Sequence, residues 1–161
     1  MSRGGPLRID ITPSDLPSDP KERHQKYVDA FGEFIFWLRN WSLDASRHLI
    51  ESSEAREALG TVRRRYYDGV AQLTPEQREA ALLFAQETLD GLLQRLTWAL
   101  GDEGTDARLG QGHAYRFRVE MEIVDVATGE VVEVETINRG GKFFGSYWGR
   151  WLNRFASKNA K

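Results

Sequence analysis

Apolar residues recur at helical intervals through the first hundred positions and at alternate positions in the thirty that follow. Asp19 can cap a helix whose first position is Pro20. Tyr27, Phe31, Phe34, Ile35, Leu38, Trp41, Ala45 and Leu49 then follow at steps of three and four, an apolar stripe about six turns long. Phe36, Leu43 and Ile50 fall on a second line at steps of seven. A helix apolar on two sides is either central in a bundle or meets a partner. Gly60 ends or kinks this helix, and Val62, Tyr66, Val70 and Leu73 form a short amphipathic piece after it. Arg63, Arg64 and Arg65 point in directions 100° apart, as a solvated face does. Thr74, Pro75 and Gln77 make a capping box. They open a helix whose core stripe is Leu82, Ala85, Leu89, Leu92, Leu93, Leu96, Ala99 and Leu100, with Gly101 after it. Phe84, Gly91 and Trp98 lie at heptad steps on its other side, where a small residue between two aromatics could receive a knob from another element, or where the chain's own hairpin or C-terminal helix covers the line.

Period two replaces period 3.6 after a glycine-rich connector at 102–112. Tyr115, Phe117, Val119, Met121 and Ile123 alternate with charged residues. Val132, Val134 and Thr136 alternate with Glu133 and Glu135. This predicts a β-hairpin within 113–139, turned at Gly129, with one apolar and one charged face. A two-stranded hairpin needs further packing. Leu7, Ile9 and Ile11 alternate with Arg8 and Asp10, so residues 7–12 predict a third strand inside a proline-rich segment, 1–19. Matching the apolar faces brings Glu120 and Glu122 beside Glu133 and Glu135, a repulsive arrangement that a cation, a basic partner or Arg116 and Arg118 would offset.

The last segment, residues 140–155, reads GGKFFGSYWGRWLNRF. As a helix over 143–158 it gathers Phe144, Trp148, Trp151, Leu152 and Phe155 on one face. Arg150, Arg154 and Lys158, with Lys142 nearby, form a basic row on another, and Gly145 and Gly149 leave a shallow groove. Three readings stay open: an aromatic face that closes the bundle, a membrane-surface helix, and a nucleic-acid contact with exposed rings.

Composition narrows the classes. The 161 residues suit one domain and an ordinary soluble balance, 40% hydrophobic and 29% charged. A net charge of −2 creates no field toward nucleic acid or membrane. Without cysteine there is no disulfide framework, thiolate metal site or cysteine nucleophile. No apolar signal-peptide core opens the chain, and a cytoplasmic location is the expectation.

Catalytic patterns are sparse. His24, His48 and His113 lack ligand spacing, and no nucleophile elbow is present. Asp125 followed by Glu133-Val134-Glu135 resembles, in outline, the acidic residue and acidic-x-lysine motif of metal-dependent nucleases of the restriction-endonuclease-like class. Glu135 stands where that motif has lysine, and the likeness covers about eleven residues. It implies carboxylates on the hairpin holding a divalent metal.

The fold expected is α+β: a mostly helical bundle of three to four helices over 20–101, a packed hairpin and a closing amphipathic helix, in one domain. The function expected is a non-catalytic protein-binding module, an adaptor, inhibitor or assembly subunit. It would act through an acidic hairpin face (Glu120, Glu122, Glu133, Glu135) and a basic helix face (Lys142, Arg150, Arg154, Lys158), with no cofactor, metal ligand or catalytic residue assigned. The alternatives are a nucleic-acid-associated protein using the basic-aromatic helix and a divalent-metal-dependent nuclease.

Overall fold

The computed structural model describes residues 13–101, 107–108, 114–115, 117–139 and 144–156. The strand expected at 7–12, and both Lys142 and Lys158, lie outside them. Among the described residues, five α-helices and two antiparallel strand pairs make an α+β fold: α1 (Pro20–Glu51), α2 (Ser53–Glu57), α3 (Thr61–Ala71), α4 (Pro75–Ala99), β1 (Ala107–Arg108), β2 (Ala114–Tyr115), β3 (Glu120–Val124), β4 (Val131–Thr136) and α5 (Trp148–Phe155). β1, inside the expected connector, pairs with β2, at the start of the expected hairpin segment, and β3 pairs with β4.

Local chemistry sets the helix ends. The Asp19 carboxylate accepts from the Lys21 and Glu22 amides, each at 3.0 Å. α1 stops at Glu51, not at Gly60, because Ser52 turns extended and its hydroxyl caps α2 by accepting from the Ala55 amide. Gly60 instead begins α3. The capping box at Thr74 forms in both directions, with the Thr74 amide donating to Gln77 at 3.0 Å and the Gln77 amide to Thr74 at 3.3 Å.

The core lies between one flank of α1 and the C-terminal segment. Val28, Ile35 and Phe36 meet Phe144, Tyr147, Trp148, Trp151 and Phe155, with Ile137 from the end of the hairpin. Aromatic side chains of this size bury 150–250 Å² each, worth about 4 kcal/mol or more apiece before entropy. Leu152, expected on the buried face, stands outside it at 36% exposure, while a 3-10 turn at Phe144–Tyr147 brings in Phe144 and Tyr147.

The same packing reverses part of the expected pattern in α1. Phe36 and Ile50, from its second line, are buried, whereas Phe34 and Trp41, from its main stripe, are 40% and 50% exposed. The physical reason is Gly32: a Cβ there would fall within the Trp151 indole, so α5 can approach α1 closely only along the flank that carries this glycine. α4 shows a similar division. Leu93 and Leu100 pack on the core, but Leu92 is 63% exposed and Leu96 44%. Trp98 lies over Gly145, so the C-terminal segment meets this end of the Phe84–Gly91–Trp98 line, and the indole fills one half of the groove between Gly145 and Gly149.

The hairpin corrects the expected single charged face. Near the turn Val124 pairs with Val131, but Ile123 pairs with Glu133 and Met121 with Glu135, so Val132 is an extra residue in a bulge. Had the pairing continued unbroken, Ile123 would oppose Val132 and Glu122 would oppose Glu133. One inserted residue moves every later side chain of the strand to the opposite face. Glu133 and Glu135 therefore point inward beside Met121 and Ile123. Val131, Val132 and Val134 lie half-exposed, and Glu122 opposes Val134.

Asn138 closes this end of the sheet. Its amide donates to the Leu100 carbonyl at 2.6 Å and the Phe117 carbonyl at 2.8 Å, and its oxygen accepts from the Val119 amide at 3.0 Å. One buried side chain thus joins the end of α4 to both hairpin strands.

Candidate functional site

The inward carboxylates of β4 meet the first turns of α1. The Arg23 guanidinium donates from Nε to Glu133 at 2.6 Å and from a second nitrogen to its other oxygen. His24 Nδ1 lies 2.6 Å from Glu135 Oε1. Arg23, through this hydrogen bond, holds the Glu133 carboxyl below the usual carboxylate range. Tyr27 is fully buried next to the pair, and burial first, with the neighbouring carboxylate, keeps its phenol protonated well above the usual range. An arginine, a histidine, a tyrosine and two glutamates are thereby brought into one seam. Both carboxylates are taken up by side chains of α1, so it reads as a structural joint.

The two outer carboxylates differ from these. Arg118 lies 3.3 Å from Glu120, which also accepts from Thr136 Oγ1 at 3.4 Å. Glu122 is exposed on the same outer face as Val134. Asp125 sits in the turn, where the Ala127 and Thr128 amides donate to it at 2.8 and 3.0 Å and hold its carboxyl below the usual range. The three acids of the nuclease-like pattern are thus divided between a turn cap and contacts to Arg23 and His24. Among the described residues no group of three or more histidine, aspartate or glutamate side chains is placed to hold a metal ion.

The basic row of α5 is also engaged within the chain. Arg150 and Arg154 both donate to Oδ2 of Asp29 at 2.7 Å. Asp29 is nearly buried, whereas each arginine is 48% exposed. The pair clasps α5 to α1 on the side next to the Trp151–Gly32 contact. A second polar tie binds α1 to α4: the buried Arg39 contacts Asp90 through two nitrogens at 2.5 and 2.8 Å and donates to Asn40 at 2.7 Å.

Part of the exposed surface of α1 is aromatic. Phe34, Trp37 and Trp41 stack in series on α1, with ring centroids 6.3 Å apart at both steps and interplanar angles of 19° and 15°. Their spacing, i, i+3 and i+7, keeps them on one side of the helix. Glu33 precedes Trp37 by four residues and Asp44 follows Trp41 by three, so carboxylates border the row. The sequence pattern alone had assigned Phe34 and Trp41 to the core and left Trp37 unassigned. The legible signal was the aromatic spacing with its acidic neighbours. An open, charged depression of about 180 Å³ between α1 and α4, lined by Arg39, Asp44, Arg47 and Glu79, adds no convergent chemistry.

No family model matches the chain, and no curated protein or solved structure matches it. No helix among the described residues is long and apolar enough to cross a membrane.

Proposed function

We propose that the chain is a non-catalytic binding module that docks on another protein, with Phe34, Trp37 and Trp41 as its anchor. The observation that carries this is the stacked row itself: three large rings held in register on a rigid helix, with the outer two at least 40% exposed. Tryptophan is enriched at interface centres, and anchors at i, i+3 and i+7 suit a helix laid in an apolar groove. Glu33 and Asp44 favour a groove rimmed by basic residues. Glu120 and Glu122 on the outer hairpin face offer a second acidic contact.

The nucleic-acid alternative through α5 has less support. Trp148 and Trp151 are buried, and Arg150 and Arg154 are held by Asp29. The acidic border of the α1 row repels phosphate. The nuclease alternative requires Glu133 and Glu135 to leave Arg23 and His24.

Chemical crosslinking in native lysate, with three proteins compared, tests the proposal. A partner protein captured by the wild type should be lost with Trp37→Ala/Trp41→Ala and kept with Arg150→Ala, which leaves Arg154 on Asp29. A partner kept by the tryptophan variant, or submicromolar binding of an oligonucleotide at physiological salt, would overturn the anchor.

A further inference from the structure

Gly91 has no explanation within its own chain. It lies inside the 25-residue α4, where glycine is the least favourable residue after proline. A Cβ added to it would meet nothing within 4 Å, whereas those of Gly32 and Gly145 would strike an indole. Two rows of residues, each at steps of four, run side by side there. One is Glu87, Gly91 and Arg95. The other is Phe84, Thr88, Leu92 and Leu96, with Phe84 72% exposed, Leu92 63% and Leu96 44%. The Thr88 hydroxyl already donates to the Phe84 carbonyl at 2.8 Å, so covering it leaves no donor unsatisfied. With Leu83, these apolar side chains leave on the order of 400 Å² bare, as large as the patches that mark interfaces on monomers.

We infer that α4 is a self-association surface, on which two copies of this chain cross antiparallel at Gly91. The charge order selects a second copy as the occupant. Glu87 stands four residues before Gly91 and Arg95 four after it, about 6 Å along the axis on either side at 1.5 Å per residue. An antiparallel copy sets its Arg95 beside Glu87 and its Glu87 beside Arg95, forming the same pair twice, as a two-fold interface requires. A parallel copy would oppose like charges. Neither residue has an ion pair within the chain among the described residues. Interlocking rows at steps of four set the helices at about −50°, the commonest packing of two helices. Gly91 at the crossing lets the backbones approach, and each Phe84–Leu92–Leu96 row covers the low ridge of the other copy. This surface is on a different helix from the docking row of α1 and does not depend on it.

Sedimentation velocity of the full chain across the micromolar range tests the inference. The wild type should sediment at twice 18.4 kDa. Gly91→Leu should shift it to monomer while its melting temperature is kept or raised, because the space around Gly91 is open. Glu87→Arg and Arg95→Glu should each weaken association tenfold or more, and Glu87→Arg/Arg95→Glu together should restore it, a rescue that general destabilisation would not give. Trp37→Ala/Trp41→Ala should leave the dimer unchanged. A wild type that stays monomeric, a dimer that survives Gly91→Leu, or a double reversal without rescue would each overturn the assignment.

Discussion

The indole of Trp151 occupies the space over Gly32 that any side chain at that position would need. Trp151 has no solvent exposure, and Phe31 and Phe144 meet its ring edge-on at 6.1 and 5.6 Å. Gly32→Ala should therefore cost about 1–3 kcal/mol by overpacking, and Trp151→Ala about 3–5 kcal/mol by leaving a cavity. Urea denaturation of both variants measures this. Equal stability of Gly32→Ala and wild type would show that α5 can stand off from α1.

Acid should unfold the protein partly through the seam at the start of α1. The folded-state pKa of Glu133 is depressed by Arg23. Its contribution is fully present above the ordinary glutamate value near ~4.3 and is lost as pH falls through the lower, folded value. Glu133→Gln should lower stability at neutral pH and flatten the decline in acid. Thermal melts of both proteins from neutral pH down to the acid limb decide it; parallel curves would remove Glu133 from the linkage.

Reversing the α5 arginines should destabilise the fold. Arg150→Glu/Arg154→Glu would place two more carboxylates on the nearly buried Asp29, where removing a partner leaves a buried charge unmatched. The denaturation midpoint should fall, and Asp29→Asn combined with the double reversal should recover part of the loss. Full stability of the double reversal would mean that the two arginines are free to serve an outside ligand.

Asn138→Ala should be among the most damaging polar substitutions. It removes the partner of two carbonyls and one amide at the junction of α4 and the hairpin. Buried groups left without partners cost about 1–3 kcal/mol each, less where water enters. A melt lowered by under ~1 kcal/mol equivalent would indicate that water replaces the side chain.

Trp41→Ala, by contrast, should change stability by no more than about 1 kcal/mol, since half of the ring already faces solvent. Acrylamide quenching should find tryptophan fluorescence accessible in the wild type and reduced in accessibility when a partner binds. A large stability loss would mark the row as part of the fold.

Helix starts were legible because their signals are local. Asp19–Pro20 and Thr74–Pro75–Gln77 act within one turn, so the residues that cap are the residues one reads. Burial was less legible, since two faces of α1 are apolar and only Gly32 distinguishes the one that α5 can approach. The hairpin was visible from its alternation, but its faces depended on one unpaired residue, Val132, which leaves the alternation unchanged. The ion pairs Arg23–Glu133, Arg39–Asp90 and Arg150–Asp29 join residues from 51 to 121 positions apart, and no spacing rule reaches that far.

The bulge gives β4 two reading frames. In the one observed, α1 meets carboxylates and solvent meets valines; in the unbroken one, α1 would meet valines and solvent four glutamates. The choice is enforced from outside the sheet, by Arg23 and His24 at the helix and by Asn138 at the strand's end. A change in the first turns of α1 is thus expressed on the far side of the hairpin, as the chemical character of a surface that those residues never touch.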